Sequence, residues 1–110
     1  MDQNNLPEAI NNFIKYTNDG DSEKFISIFS KDATLNDWGN IYHQPKEIAI
    51  WNKTDNIGKK SHFELVDAKE TGIDTWVINL KVSGNGFNGT SPFEIVLEKD
   101  LIKSLQILPD

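Results

Sequence analysis

Apolar and polar residues alternate through most of the second half of the chain, from Ser61 to Leu108. Such alternation places successive side chains on opposite faces of a β-strand, so this half is predicted to form a sheet with one apolar face. The clearest strand carries four apolar residues on a single face: Trp76, Ile78, Leu80 and Val82. A hairpin turn is predicted at Ser83-Gly84-Asn85-Gly86, where Asn-Gly favours a two-residue turn. A second turn is predicted at Lys99-Asp100.

The first half of the chain has apolar residues at helical spacing instead. A first helix is predicted to begin with a capping-box-like pair, Asn5 and Glu8, and to end at Asp19-Gly20. The remaining elements are a second helix capped by Asp21 or Ser22 and ending near Ser30-Lys31-Asp32, short strands at 33–38 and 41–43, and a third helix from Pro45 that carries Ile48 and Trp51 on one face.

Helices that are segregated from an antiparallel sheet predict an α+β fold, here as one domain over residues 1–110. The three helices are expected to cover one face of a curled sheet and to leave the other face free. Because a free face with apolar residues usually finds a partner, a homodimer through the sheet is predicted. The candidate contact residues are Ile102, Val96 and Val66.

The charge of the chain excludes several classes of partner. All 11 basic residues are lysine, and against 17 acidic residues they leave a net charge of −6. Neither a nucleic acid nor an acidic membrane surface is therefore expected as a partner. With no cysteine in the chain, thiolate chemistry and disulfides are excluded, and we predict no metal and no cofactor. The polar, acidic start at Met1–Glu8 and the lack of a long apolar run favour a cytoplasmic protein.

Three segments together resemble a known superfamily. They are Asn18-Asp19-Gly20-Asp21 between the first two helices, the run from Ile28 to Asp37, and Ile48 with Trp51 on the third helix. These segments and the order of elements resemble the NTF2-like superfamily, specifically its SnoaL-like and ketosteroid-isomerase-like branch. The resemblance implies a cone-shaped α+β (cystatin-like) fold, with helices on a curved antiparallel sheet that encloses a pocket, and a homodimer.

The resemblance also implies a role for Asp37. In the isomerase branch, the aspartate that closes the first strand is the general base that moves a proton beside a ketone. Alternation independently places Asp37 on the side of Ala33 and Leu35, towards the core. The alternative is that Asp37 only turns the chain before Trp38-Gly39.

Enolate chemistry also needs donors aimed at the developing oxyanion, and here the sequence departs from the pattern. The resemblance places Phe13 where a donor tyrosine is expected, and a phenyl ring donates no hydrogen bond. Tyr16, one helical turn further on, could face the same way only if the register differs, and alternation turns Glu94, the other candidate donor, away from the apolar side. Steroid isomerase activity is therefore not expected. His43 is a candidate for a proton shuttle at the pocket mouth, or else an ordinary surface residue.

Aromatic residues could line the pocket and hold a flat apolar ligand, or they could simply fill the cone. Nothing in the spacing of Asp37, His43 and His62 demands a metal site. The aromatic candidates for ligand binding are Phe13, Phe25, Phe29, Trp38, Trp51, Phe63, Trp76 and Phe93.

Three functions remain open from sequence. The favoured one is a SnoaL-like protein that binds a small apolar molecule without established chemistry, since Phe13 cannot supply the expected donor. The second is an enzyme that uses Asp37 as a general acid or base in isomerisation, cyclisation or hydration of an apolar carbonyl compound. The third is a protein-interaction module that binds through the open sheet face.

Overall fold

The computed structural model describes residues 6–108. Within that range the predicted order of helices and strands is confirmed. The first half contains α1 (Glu8–Asp19), α2 (Ser22–Ser27), β1 (Phe29–Asp37), β2 (Asn40–His43), α3 (Gln44–Asp55) and a short 3-10 helix (Ile57–Lys59). The second half contains β3 (His62–Gly72), β4 (Thr75–Ser83), β5 (Gly89–Glu98) and β6 (Leu101–Ile107).

The strands form one six-stranded sheet in the order β2-β1-β6-β5-β4-β3. Neighbouring strands are antiparallel except β1 and β6, which are parallel, so the prediction of a purely antiparallel sheet is wrong at this pair. The chain leaves β1, crosses to the far edge of the sheet at β3, and returns by successive hairpins. Three reversals along that return bring β6 beside β1 in the same direction. The fold remains α+β, with α1, α2 and α3 all contacting the sheet.

The ends of the first two helices differ in detail from the prediction. Asn5 lies outside the described residues, and Pro7 is the N-cap of α1, where no side-chain hydrogen bond caps the helix. The predicted stop at Gly20 is confirmed by its left-handed φ of 70°. Of the two candidate caps for α2, Asp21 is the one used, since its side chain accepts a hydrogen bond from the Lys24 backbone N–H. The helix then ends earlier than predicted, because Phe29 already pairs with Ile102 of β6.

The predicted two-residue Asn-Gly hairpin is wrong. The connection between β4 and β5 is a loop over residues 84–88, braced by the Asn88 side chain, which donates to the Gly84 carbonyl at 3.0 Å and accepts from the Gly84 N–H at 3.2 Å. The loop also reaches the 3-10 helix, where the Asn85 N–H donates to the Lys59 carbonyl at 2.8 Å. The true two-residue turn joins β5 to β6, with left-handed φ angles of 50° at Lys99 and 67° at Asp100.

A cluster of aromatic rings forms the centre of the core. Phe13 of α1 is fully buried, and its ring centroid lies 5.6 Å from that of Phe25, 5.3 Å from that of Phe63 and 6.0 Å from that of Phe93. Rings from α1, α2 and two strands therefore meet at one point. This aromatic cluster lies in the core together with buried aliphatic side chains.

The structure corrects one predicted dimer contact. Ile102 is fully buried, so it cannot lie on the free face of the sheet. Val96 pairs with Ser104 while Leu97 pairs with Ile102, which leaves Lys103 as an extra residue in β6. This bulge reverses the alternation on its N-terminal side and turns Ile102 into the core. Val66 is 52% exposed, and Val96 is half-buried on the face opposite Phe93 and Ile95.

Candidate functional site

Asp37 lies at the end of β1 on the same side as Ala33 and Leu35, both of which are fully buried. The Trp51 indole Nε1–H of α3 donates a hydrogen bond of 3.0 Å to Oδ2 of Asp37. The turn that follows is capped by a different residue, because the Gly39 N–H donates to Oδ1 of Asn36 at 2.7 Å. Asp37 is thus held by a side chain of the third helix and is not the residue that caps the turn.

The Asp37 carboxylate lies in the wall of a pocket of about 100 Å³. The walls come from the end of β1, from α3, from β3 to β6 and from the β4–β5 loop. Most of the surface is carbon, and the Ser91 hydroxyl already donates to the Leu108 carbonyl at 3.2 Å. The lining residues are Asp37, Trp38, Trp51, Asp55, Ser61, Phe63, Val82, Phe87, Ser91, Phe93 and Ile107.

Two exposed aromatic residues form the mouth of the pocket. Trp38 is 55% exposed and follows β1 with a left-handed φ of 52°, and Phe87 is 46% exposed in the β4–β5 loop. Their ring centroids are 6.4 Å apart and the rings meet at 63°. Phe87 is absent from the sequence-based candidates because a loop has no periodicity to identify it. The available signal was a large aromatic residue in an otherwise polar and glycine-rich turn.

A second carboxylate, Asp55, lies at the rim of the same pocket at the end of α3. It comes four residues after Trp51, and residues at that spacing share a helix face. The spacing is therefore a usable signal for Asp55 in the sequence. Asp55 Oδ2 accepts a hydrogen bond from the Thr54 hydroxyl at 3.0 Å.

Tyr42 is a neighbour of both carboxylates that sequence reasoning also missed. It pairs with Leu35 across β1 and β2, so it shares the face of Leu35 and Asp37. Burial raises the pKa of Tyr42 above its ordinary value of 10.0, and the negative charges of Asp55 and Asp37 raise that pKa further. The phenol is therefore neutral at physiological pH.

The predicted aromatic candidates divide between the pocket and the core. Trp38, Trp51, Phe63 and Phe93 line the pocket. Phe13, Phe25 and Phe29 are buried behind it, and Phe25 stacks on Trp51 with ring centroids 6.3 Å apart. Trp76 lies elsewhere, in a depression that also contains Pro7 and Leu97. Four of the eight candidates thus line this pocket, three lie in the core behind it, and one lies in a separate depression.

The other predicted polar candidates lie outside the pocket lining. His43 is exposed at the start of α3, where its backbone N–H donates to Oε1 of Glu47 at 2.6 Å. Tyr16 is half-buried on α1, with Nζ of Lys24 6.0 Å from its ring centroid. Glu94 is paired with Val77 and Gln106, on the strand face opposite Phe93.

Within residues 6–108, no group of three or more histidine or acidic side chains could hold a metal ion. No helix in the same range is long and apolar enough to cross a membrane.

No family model matches the sequence, and no curated protein matches it significantly. Solved structures do match. A proposed polyketide cyclase from Sinorhizobium meliloti superposes with a TM-score of 0.84 at 20% identity, covering 98% of this chain and 100% of that one. A Catenulispora acidiphila protein with a ketosteroid isomerase-like fold, in complex with trimethylamine, has a TM-score of 0.78 at 18% identity, covering 96% and 87%.

A third similar structure is a Mycobacterium tuberculosis protein in complex with estradiol-17β-hemisuccinate, with a TM-score of 0.81 at 13% identity and coverage of 93% and 91%. Identities this low show a shared fold and nothing about a shared activity. The chain therefore has the NTF2-like, ketosteroid isomerase-like fold that the resemblance in the sequence implied.

The electrostatic link between Tyr42 and Asp55 can be tested by titration. In a Tyr16→Phe background, the phenol of Tyr42 should ionise above pH 10.0, and Asp55→Asn should lower the midpoint without restoring it to 10.0, because burial remains. The absorbance of the phenolate measures the ionisation midpoint of Tyr42 in both proteins. The unfolded chain releases this proton at lower pH than the folded one, so the free energy of unfolding should fall as pH rises beyond about 10. An Asp55→Asn midpoint equal to that of the parent would show that this carboxylate does not act on Tyr42.

Proposed function

We propose that this protein binds a small molecule in the pocket beside Asp37. The observation that carries the proposal is a carboxylate fixed by the Trp51 indole in the wall of an otherwise apolar pocket. Apolar walls with a few placed polar groups are typical of ligand sites, where the walls supply affinity and the polar groups orient the ligand. Oδ1 of Asp37 accepts no hydrogen bond from residues 6–108, so it is available to a ligand donor or positive charge.

The volume of the pocket limits the ligand. Pockets for drug-sized molecules are roughly 300–1,000 Å³, and this one is about 100 Å³. The aromatic cluster and the buried aliphatic side chains occupy the rest of the interior. A ligand of a few non-hydrogen atoms fits this space, whereas a steroid or a polyketide does not fit without movement of the walls. The structures of similar fold were determined with ligands of very different size, estradiol-17β-hemisuccinate and trimethylamine, which supports the fold as a host for either class.

A second function, proton transfer by Asp37, is supported by the position of this carboxylate in the pocket wall. Three observations weigh against proton transfer. Phe13 is buried in the core and donates nothing, the Trp51 N–H is committed to Asp37, and the Ser91 hydroxyl is committed to Leu108. Ser61 is the remaining hydroxyl of the pocket lining that could face an oxyanion. Because enolate formation needs preorganised donors, we favour binding over catalysis.

Filling the pocket should abolish binding. Val82 lines the pocket, and Val66 is an exposed residue of β3 that does not line it, so Val82→Phe and Val66→Phe form a matched pair. We expect at least one of cyclopentanone, isobutyrate and trimethylamine to shift the Trp38 and Trp51 indole N–H signals of the wild type saturably in ¹H–¹⁵N NMR spectra. Val82→Phe should weaken that binding at least about tenfold, and Val66→Phe should preserve it.

Absence of any saturable shift in the wild type would contradict the proposed function. Shifts that persist unchanged in a folded Val82→Phe protein would contradict the location of the site.

The catalytic alternative can be tested without knowing a substrate. In D₂O, a general base in the pocket should exchange the α-hydrogens of cyclopentanone for deuterium, which ¹H NMR follows directly. If Asp37 is that base, Asp37→Asn should slow the exchange by about 10²- to 10⁴-fold. Equal rates for wild type, Asp37→Asn and buffer alone would reject the catalytic role and leave the binding role standing.

A further inference from the structure

We propose that the ligand of this pocket is a small organic cation that carries a methylated ammonium group. The proposal rests on the proposed function, since it names the class of ligand for the same pocket. It differs from the flat, apolar ligand that the sequence suggested.

The charges around the pocket favour a cation. Two carboxylates, Asp37 and Asp55, line it, and no lysine or histidine does. A neutral ligand that filled the space would remove water from the half-buried Asp37 without compensating its charge, which is costly. An anion would be repelled by both carboxylates. A cation compensates Asp37 directly, and it gains a second attraction from Asp55 at the rim.

The aromatic walls favour a cation as well. Five aromatic rings line the pocket: Trp38, Trp51, Phe63, Phe87 and Phe93. The negatively charged face of an aromatic ring attracts a cation, most strongly for tryptophan, and several rings around one space are the arrangement that recognises quaternary ammonium groups.

The angles between the rings suit a rounded ligand better than a flat one. Trp38 and Phe87 meet at 63°, and Phe63 and Phe93 meet at 60° with centroids 5.7 Å apart. Each pair forms a corner, not two parallel walls. A flat molecule is best held between parallel faces, whereas a tetrahedral group contacts walls that meet at an angle.

Methylation follows from the composition of the walls. An unmethylated ammonium has three N–H donors, and apart from the two carboxylates these mostly carbon walls offer it few oxygen acceptors. Methyl groups bury favourably against carbon, and they spread the positive charge over a surface that needs no hydrogen bonds. The volume of about 100 Å³ restricts the group to a few non-hydrogen atoms.

Two probes of the same tetrahedral shape and the same number of non-hydrogen atoms test the proposal: tetramethylammonium chloride and tert-butanol. At constant ionic strength, the Trp38 and Trp51 indole N–H signals report binding to the pocket. We expect tetramethylammonium to bind about tenfold more tightly than tert-butanol. Asp55→Asn should weaken tetramethylammonium about threefold or more and leave tert-butanol unchanged.

Asp32→Asn is the control for net charge, because it removes one exposed carboxylate of β1 that does not line the pocket. It should leave both affinities unchanged. Equal weakening by Asp32→Asn and Asp55→Asn would show a general charge effect and overturn the proposed cation site. If tert-butanol binds as tightly as tetramethylammonium, the cation inference is wrong while the binding function stands. If neither probe moves either indole signal, the cation inference is wrong. If cyclopentanone, isobutyrate and trimethylamine also fail to move them, the proposed binding function is wrong too.

Discussion

The hydrogen bond from Trp51 to Asp37 is the contact on which the candidate site depends. It joins α3 to the end of β1 at 3.0 Å, and Trp51 itself stacks on Phe25 of the aromatic cluster. A hydrogen bond to a carboxylate contributes about 1.5–3 kcal/mol in proteins, enough to select one orientation of the side chain. The position of Asp37 is therefore coupled to the packing of the core, while Asn36 caps the turn beyond it.

The aromatic cluster determines what the fold can bind. The same architecture is found in a protein crystallised with a steroid derivative, yet here Phe13, Phe25, Phe63 and Phe93 meet in the interior and leave about 100 Å³ beside Asp37. The ring at Phe13 donates no hydrogen bond, and it packs against three other rings in the interior. A volume of about 100 Å³ and the scarcity of free hydrogen-bond donors in the lining both favour binding of a small ligand over catalysis on a large carbonyl compound.

Much of the architecture could be predicted from sequence, because periodicity reports which face of a strand or helix is buried. The element order and the side of β1 that carries Asp37 follow from that signal alone. Strand neighbours do not, so the parallel pairing of β1 with β6 was missed. The bulge at Lys103 is visible only from the pairing of two strands, and it alone turns Ile102 inwards. Phe87 lies in a loop without periodicity, and the volume of a pocket depends on how rings from distant segments pack.

Hydrogen exchange of the three tryptophan indole N–H groups can test whether Trp51 holds Asp37 in the pocket wall. The Trp51 N–H is buried and hydrogen-bonded to Asp37, whereas Trp38 is exposed at the mouth and Trp76 is half-buried in a separate depression. We expect the Trp51 indole to exchange slowest of the three in ¹H–¹⁵N NMR spectra, and Asp37→Leu to accelerate its exchange selectively. Exchange at Trp51 as fast as at Trp38 would show instead that Asp37 is not held in the pocket wall.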